Sequence, residues 1–113
     1  MPRGCAAGET IFNAWVTLAQ PAIIQELARA GFLSVTLDYQ HGLCSFDDLA
    51  SCIPTAGLHG MAVTVRLPLG HYTLVSRVLD AGAGAVIRPM VNTATEAKAL
   101  VNAAKFPPVG ERS

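Results

Sequence analysis

The chain has 113 residues, 51% of them apolar and 14% charged, with eight acidic side chains balancing eight basic ones. That length fits one domain at most, and the composition excludes intrinsic disorder, which needs low hydropathy and high net charge. Balanced charge argues against a nucleic-acid surface, which carries a basic stripe. The longest uncharged stretches, Thr10–Gln25 and Leu49–Val65, are broken by Pro and strongly polar residues. Neither offers the run of about 20 apolar residues that a spanning helix needs.

The N-terminal MPRGCAAGETIF has no long apolar run after its basic residue and does not read as a signal peptide. Cys5, Cys44 and Cys52 are odd in number and lack short spacing, so they give neither a disulfide framework nor a metal knuckle. A cytoplasmic chain with reduced thiols is expected. Few aromatics beside plentiful Ala, Val, Leu and Gly suggest a parallel sheet covered by helices.

In chain order, Ile11–Leu18 reads as a strand and Ala22–Ala30 as a short helix. Pro21 suits the helix's first turn and Gly31 its C-terminal cap. Phe32–Leu37 is a second strand, running into DYQHG. Phe46–Ala56 begins as a helix with Ser45 as N-cap and Asp47 and Asp48 in its first turn, and Pro54 is expected to kink or end it. Met61–Leu67 is a third strand, rich in β-branched residues, and Tyr72–Ala81 a third helix. AGAGAV at Ala81–Val86 lies before a strand, so it reads as a tight turn and not as a dinucleotide fingerprint. Ala85–Val91 is a fourth strand. Thr93–Ala104 is a fourth helix, opened by a capping box of Thr93 and Glu96, and FPPVGERS follows as a loop. Four β–α pairs in strict alternation leave two architectures open, a small open α/β sheet or half of an eight-stranded β/α barrel.

Chemistry in parallel α/β proteins gathers at the C-terminal ends of strands. Strand two ends there in Asp38-Tyr39-Gln40-His41-Gly42, strand three in Arg66-Leu67-Pro68, strand four near Pro89-Met90-Val91-Asn92, and strand one carries Asn13 and Trp15. A carboxylate bonded to one ring nitrogen would fix the histidine tautomer and make it a general base, so Asp38 and His41 form a candidate pair. Closure of a loop by the same two residues is the competing reading. Arg66 offers a planar fork for a substrate carboxylate or enolate, or pairs with Asp38. Trp15 reads as core or pocket wall. His59 belongs to the opposite end of the strands, and His71 to the rim. Asp38 and His41 alone are too few for a catalytic metal site.

The ordered set AWVTL, AxxxELARAGF, LDYQHG, VRLP, RVLDAGAGAV, PMVNTATEA and FPPVGERS resembles the HpcH/HpaI aldolase family of class II pyruvate aldolases, over nearly the whole chain. The resemblance implies a (β/α)8 TIM barrel of which residues 1–113 form only the first half, four β–α units without strands five to eight. It implies a lyase for reversible aldol cleavage of 4-hydroxy-2-oxo acids to pyruvate, or a related 2-oxo acid, and an aldehyde. His41 matches the family's acid/base, Asp38 the aspartate paired with it, and Arg66 the arginine that binds the oxo-acid and steadies the enolate. Trp15 is taken as a substrate-side residue. The family's divalent metal (Mg, Mn or Co) is held by a glutamate and an aspartate of later strands, outside this chain. Two departures stand out: Gln40 where many members have Glu, and Arg88 where an apolar or small residue is usual.

Half a barrel has open edges, which invite a complementing chain or a second copy. Without the metal's Lewis acidity, the chain by itself is expected to show little or no aldolase activity. The expected partners are a small 2-oxo acid and an aldehyde, with no nucleic acid and no membrane. The alternative function is a non-catalytic α/β remnant or subunit that needs a partner chain.

Overall fold

Runs of β-branched and aliphatic residues alternate with amphipathic runs, and the computed structural model, which describes residues 8–113, resolves them into four β–α units. The first seven residues of the N-terminal segment read for a leader, Cys5 among them, lie outside the described residues. The elements are β1 (Asn13–Val16), α1 (Pro21–Arg29), β2 (Ser34–Asp38), α2 (Phe46–Leu58), β3 (Ala62–Arg66), α3 (Tyr72–Asp80), β4 (Ala85–Ile87) and α4 (Ala94–Ala104). The strands form one parallel sheet in the order β1-β2-β3-β4.

That order decides between the two architectures. A doubly wound sheet reverses its strand order and places helices on both faces. Sequential parallel strands joined by crossovers of one hand keep their helices on one side, as in a β/α barrel. Side-chain alternation agrees. Ala14, Val16, Val35, Leu37, Val63 and Val65 are buried and share the core with Ile24 of α1, Leu49, Ile53 and Ala56 of α2, and Val75 and Val78 of α3. The opposite face, where no described helix lies, carries Asn13 and Trp15, Ser34, Thr36 and Asp38, and Ala62, Thr64 and Arg66. Among the described residues, β1 and β4 each pair on one side only.

Local chemistry sets the boundaries. Pro21 opens α1, where its missing N–H costs nothing. Ser45 and Asp48 make a reciprocal capping box on α2, and Thr93 and Glu96 do the same on α4. The expectation that Pro54 ends α2 is corrected: the helix runs through it to Leu58. Pro54 is exposed, so the carbonyl that loses its donor is on the solvated side. The fourth strand is also shorter than Ala85–Val91. It ends at Ile87, because Pro89 brings no N–H to a ladder and Met90 takes a positive φ of 55°.

Candidate active site

The register of β2 on β3 sets Asp38 directly beside Arg66, at the C-terminal ends of both strands and on the helix-free face. The carboxylate is almost fully withdrawn from water, with 2% of its side chain exposed, while Arg66 keeps 21%. Arg66 donates side-on: Nε reaches Asp38 Oδ1 at 2.9 Å and Nη2 reaches Oδ2. Backbone N–H groups of Gln40 and His41 donate to the same Oδ1, each at 3.1 Å. From β1, Trp15 Nε1 donates to Oδ2 at 3.3 Å, and Arg66 Cζ lies 5.2 Å from the centre of its ring.

Five donors on two oxygens leave Asp38 an obligate carboxylate. The Arg66 hydrogen bonds, supported by those from His41 N–H and Trp15, outweigh burial and hold its pKa at about 2, below the usual value of 3.8. The expected pairing of Asp38 with the His41 imidazole is therefore corrected. The carboxylate takes His41's backbone N–H, its acceptor sites are filled, and the exposed imidazole makes no hydrogen bond to another described residue. The closed loop and the Asp38–Arg66 pair, both left open by the sequence, are what the fold builds.

Gly42 makes that loop possible. A Cβ there would lie 2.0 Å from the Asp38 carbonyl oxygen and 2.7 Å from that of Thr17. The bare backbone instead lets Gly42 N bond Asp38 O at 3.1 Å and brings Leu43 N to Thr17 O at 2.6 Å, tying the loop to the end of β1. Deeper on the same face, Ser34 Oγ donates to Asn13 Oδ1 at 2.7 Å and Asn13 Nδ2 to Thr36 Oγ1 at 2.9 Å. This cross-strand relay escaped the sequence reading. Period-two alternation of polar residues in adjacent strands was the signal available for it.

The other flagged residues lie elsewhere. His59 caps the C-terminus of α2, at the opposite end of the strands, and His71 sits exposed at the N-terminus of α3. Arg88 follows β4 and stacks on Tyr72, with its Cζ 4.1 Å from the ring centre. Its Nε and one Nη are buried without an acceptor among the described residues, and the stacking on Tyr72 puts it on the α3 side rather than with Arg66. Gln40 contributes its backbone N–H to Asp38.

The chemistry on offer is a fixed cation with one edge that no described residue takes, and an exposed imidazole three residues past Asp38 in the loop that follows β2. Asp38 occupies the Nε/Nη2 edge of Arg66. The end-on edge formed by the two terminal nitrogens retains N–H groups that no described residue accepts, and it has the spacing to receive a carboxylate. The residues do not make a metal site. Asp38 is saturated by donors, one of them cationic, and no group of three or more His, Cys, Asp or Glu among the described residues could hold an ion.

Comparison with known proteins gives one answer at three levels. The profile of the HpcH/HpaI aldolase/citrate lyase family matches residues 12–113. A hydroxypyruvate/pyruvate aldolase of Roseobacter denitrificans is 31% identical over 97% of this chain and 43% of its own length. A 4-hydroxy-4-methyl-2-oxoglutarate aldolase of Chaetomium globosum is 40% identical over 85% of this chain and 36% of its own. The crystal structure of an HpcH/HpaI aldolase from Desulfitobacterium hafniense superposes with a TM-score of 0.89 at 30% identity, covering 98% of this chain and 43% of that one. The chain thus spans about two-fifths of the length of the relatives it matches.

Proposed function

We propose, from the premise that this chain belongs to the HpcH/HpaI aldolase/citrate lyase family, that it forms the oxo-acid-binding and proton-transfer half of a carbon–carbon lyase. The reaction is the reversible cleavage of a 4-hydroxy-2-oxo acid to pyruvate, or a related 2-oxo acid, and an aldehyde. The observation that carries this reading is Arg66, held side-on by Asp38 with its end-on edge available at the C-terminal ends of the strands. The aldolase names of the relatives from Roseobacter denitrificans and Chaetomium globosum support it.

Each residue then has a task. Arg66 takes the substrate carboxylate and 2-oxo oxygen on that edge, where a fixed cation favours the enolate that forms. The His41 imidazole accepts the C4 hydroxyl proton as the C3–C4 bond breaks and the aldehyde departs, and a proton returns to C3 of the enolate. Asp38 stays ionised, sets the plane of Arg66 and holds the backbone of His41. A divalent metal, as the resemblance implies, would supply Lewis acidity from carboxylates outside these 113 residues. In this reading residues 1–113 are a partial barrel, and a complementing (β/α)4 unit that carries those carboxylates closes the free edges of β1 and β4; a second copy would close the edges without supplying them. Two free thiols, Cys44 and Cys52, support a cytoplasmic setting.

A second reading, a non-catalytic subunit that retains the barrel surface, is favoured by one observation: the His41 imidazole has no orienting partner among the described residues. Pyruvate methyl-proton exchange in D₂O separates the two. The chain joined to the C-terminal part of the Roseobacter denitrificans aldolase should exchange in a His41-dependent way if the site is catalytic. It should not exchange above background if the chain is only a subunit.

A further inference from the structure

We infer that Trp15 is a positioning residue for Arg66, acting through the guanidinium rather than by contact with the substrate. The inference rests on reading Arg66 as the oxo-acid binder. Trp15 lies on β1, half exposed at 50%, on the helix-free face of the sheet. Its indole makes two different contacts with the ion pair on the neighbouring strands: Nε1–H to Asp38 Oδ2 at 3.3 Å, and the ring at 5.2 Å from Arg66 Cζ.

The physical need for a third element follows from the geometry of the fork. Two parallel hydrogen bonds from Nε and Nη2 to one carboxylate fix the direction of the guanidinium. They do not stop both planar groups from rocking together. The indole N–H anchors the carboxylate from the side of β1, and the ring's negative face attracts the cation. Three adjacent strands thereby hold one planar group: β1 through Trp15, β2 through Asp38 and β3 through Arg66. What is positioned is the available end-on edge, whose orientation decides whether a 2-oxo acid meets two donors or one. The signal lay in the AWVTL segment, where a Trp in an otherwise small strand reads first as core or pocket wall.

The test uses the 113-residue chain labelled with ¹⁵N, with Arg66 Nε–H followed by NMR in wild type, Trp15→Phe and Trp15→Leu. Phe keeps an aromatic face and loses the N–H; Leu loses both. Exchange of Arg66 Nε–H with water should rise about threefold in Trp15→Phe and about tenfold in Trp15→Leu, the sizes expected for losing one hydrogen bond and then the ring contact as well. The backbone amide fingerprint of the sheet should persist in both. Unchanged Arg66 exchange in folded Trp15→Leu overturns the inference. If that variant does not fold, unchanged exchange in Trp15→Phe overturns it alone. Pyruvate is then added to wild type as a separate arm. Absence of any Arg66 shift there counts against the oxo-acid reading, while the exchange data still decide whether Trp15 positions Arg66.

Discussion

Arg66 gives Asp38 its side-on edge and keeps its end-on edge free of any described acceptor, so the same guanidinium is a structural tie and, in the proposed function, the oxo-acid-binding group. The tie binds β2 to β3 at a point where the register already pairs the two residues. Breaking it from one side leaves a withdrawn carboxylate without its cation, which costs more than removing both groups. Arg66→Leu should therefore destabilise the chain more than the double variant Asp38→Asn/Arg66→Leu. Urea denaturation of the four-member cycle should give a coupling of about 0.5–3 kcal/mol. Simple additivity would show that the pair contributes nothing jointly.

The same carboxylate predicts an acid limb. Its folded pKa of about 2 lies below the ordinary 3.8, so the folded state binds the proton less readily than the unfolded chain. The stability this contributes is present in full above about pH 4 and is lost as the pH falls toward 2. Urea midpoints measured across that window should fall in wild type. In Asp38→Asn the part of the slope due to this group should disappear, on a lower baseline at neutral pH. An unchanged acid limb in that variant would remove Asp38 as its source.

Gly42→Ala is predicted to be severe for so small a change. The added Cβ would lie 2.0 Å from the Asp38 carbonyl oxygen and 2.7 Å from that of Thr17, and both are backbone atoms that cannot swing aside. A loss of more than about 1 kcal/mol is expected, together with displaced His41 and Leu43 amide resonances. Urea melts and an amide spectrum check both.

The core and the caps give a calibrated pair. Leu37 is fully buried between the sheet and its helices, and Leu37→Ala should cost about 2–5 kcal/mol by transfer and cavity formation. Ser45→Ala removes the acceptor for Asp48 N–H at an exposed helix end, and should cost about 0.5–2 kcal/mol. A Ser45→Ala loss larger than that of Leu37→Ala would contradict the picture of a sheet held by one-sided helical burial.

Much of the fold was legible because its signals are local. The caps at Ser45 and Thr93, Pro21 at the start of α1 and the period-two strands all act within a few residues. Asp38's partner was not legible in that way. Asp38 and His41 are three apart in sequence and look like a pair, but the loop closed by Gly42 hands Asp38 the histidine's N–H. Parallel register then brings Arg66, 28 residues away, to its oxygens. The end of β4 at Ile87 was announced in the sequence only by Pro89; the positive φ of Met90, which completes the break, has no glycine to mark it. Pro54 does not end its helix because its position is exposed, where a lost backbone bond is made good by water.

The most direct test of the central claim is a pyruvate-release assay, run with a 4-hydroxy-2-oxo acid and Mg²⁺ or Mn²⁺ on two samples. One is the 113-residue chain alone; the other is the chain joined to the C-terminal part of the Roseobacter denitrificans aldolase. The predicted result is no turnover by the chain alone, and turnover by the joined protein that both His41→Ala and Arg66→Leu abolish. Turnover by the isolated chain that His41→Ala removes would contradict the claim of half a site. Turnover by the joined protein that is indifferent to Arg66 and His41 would contradict the site itself.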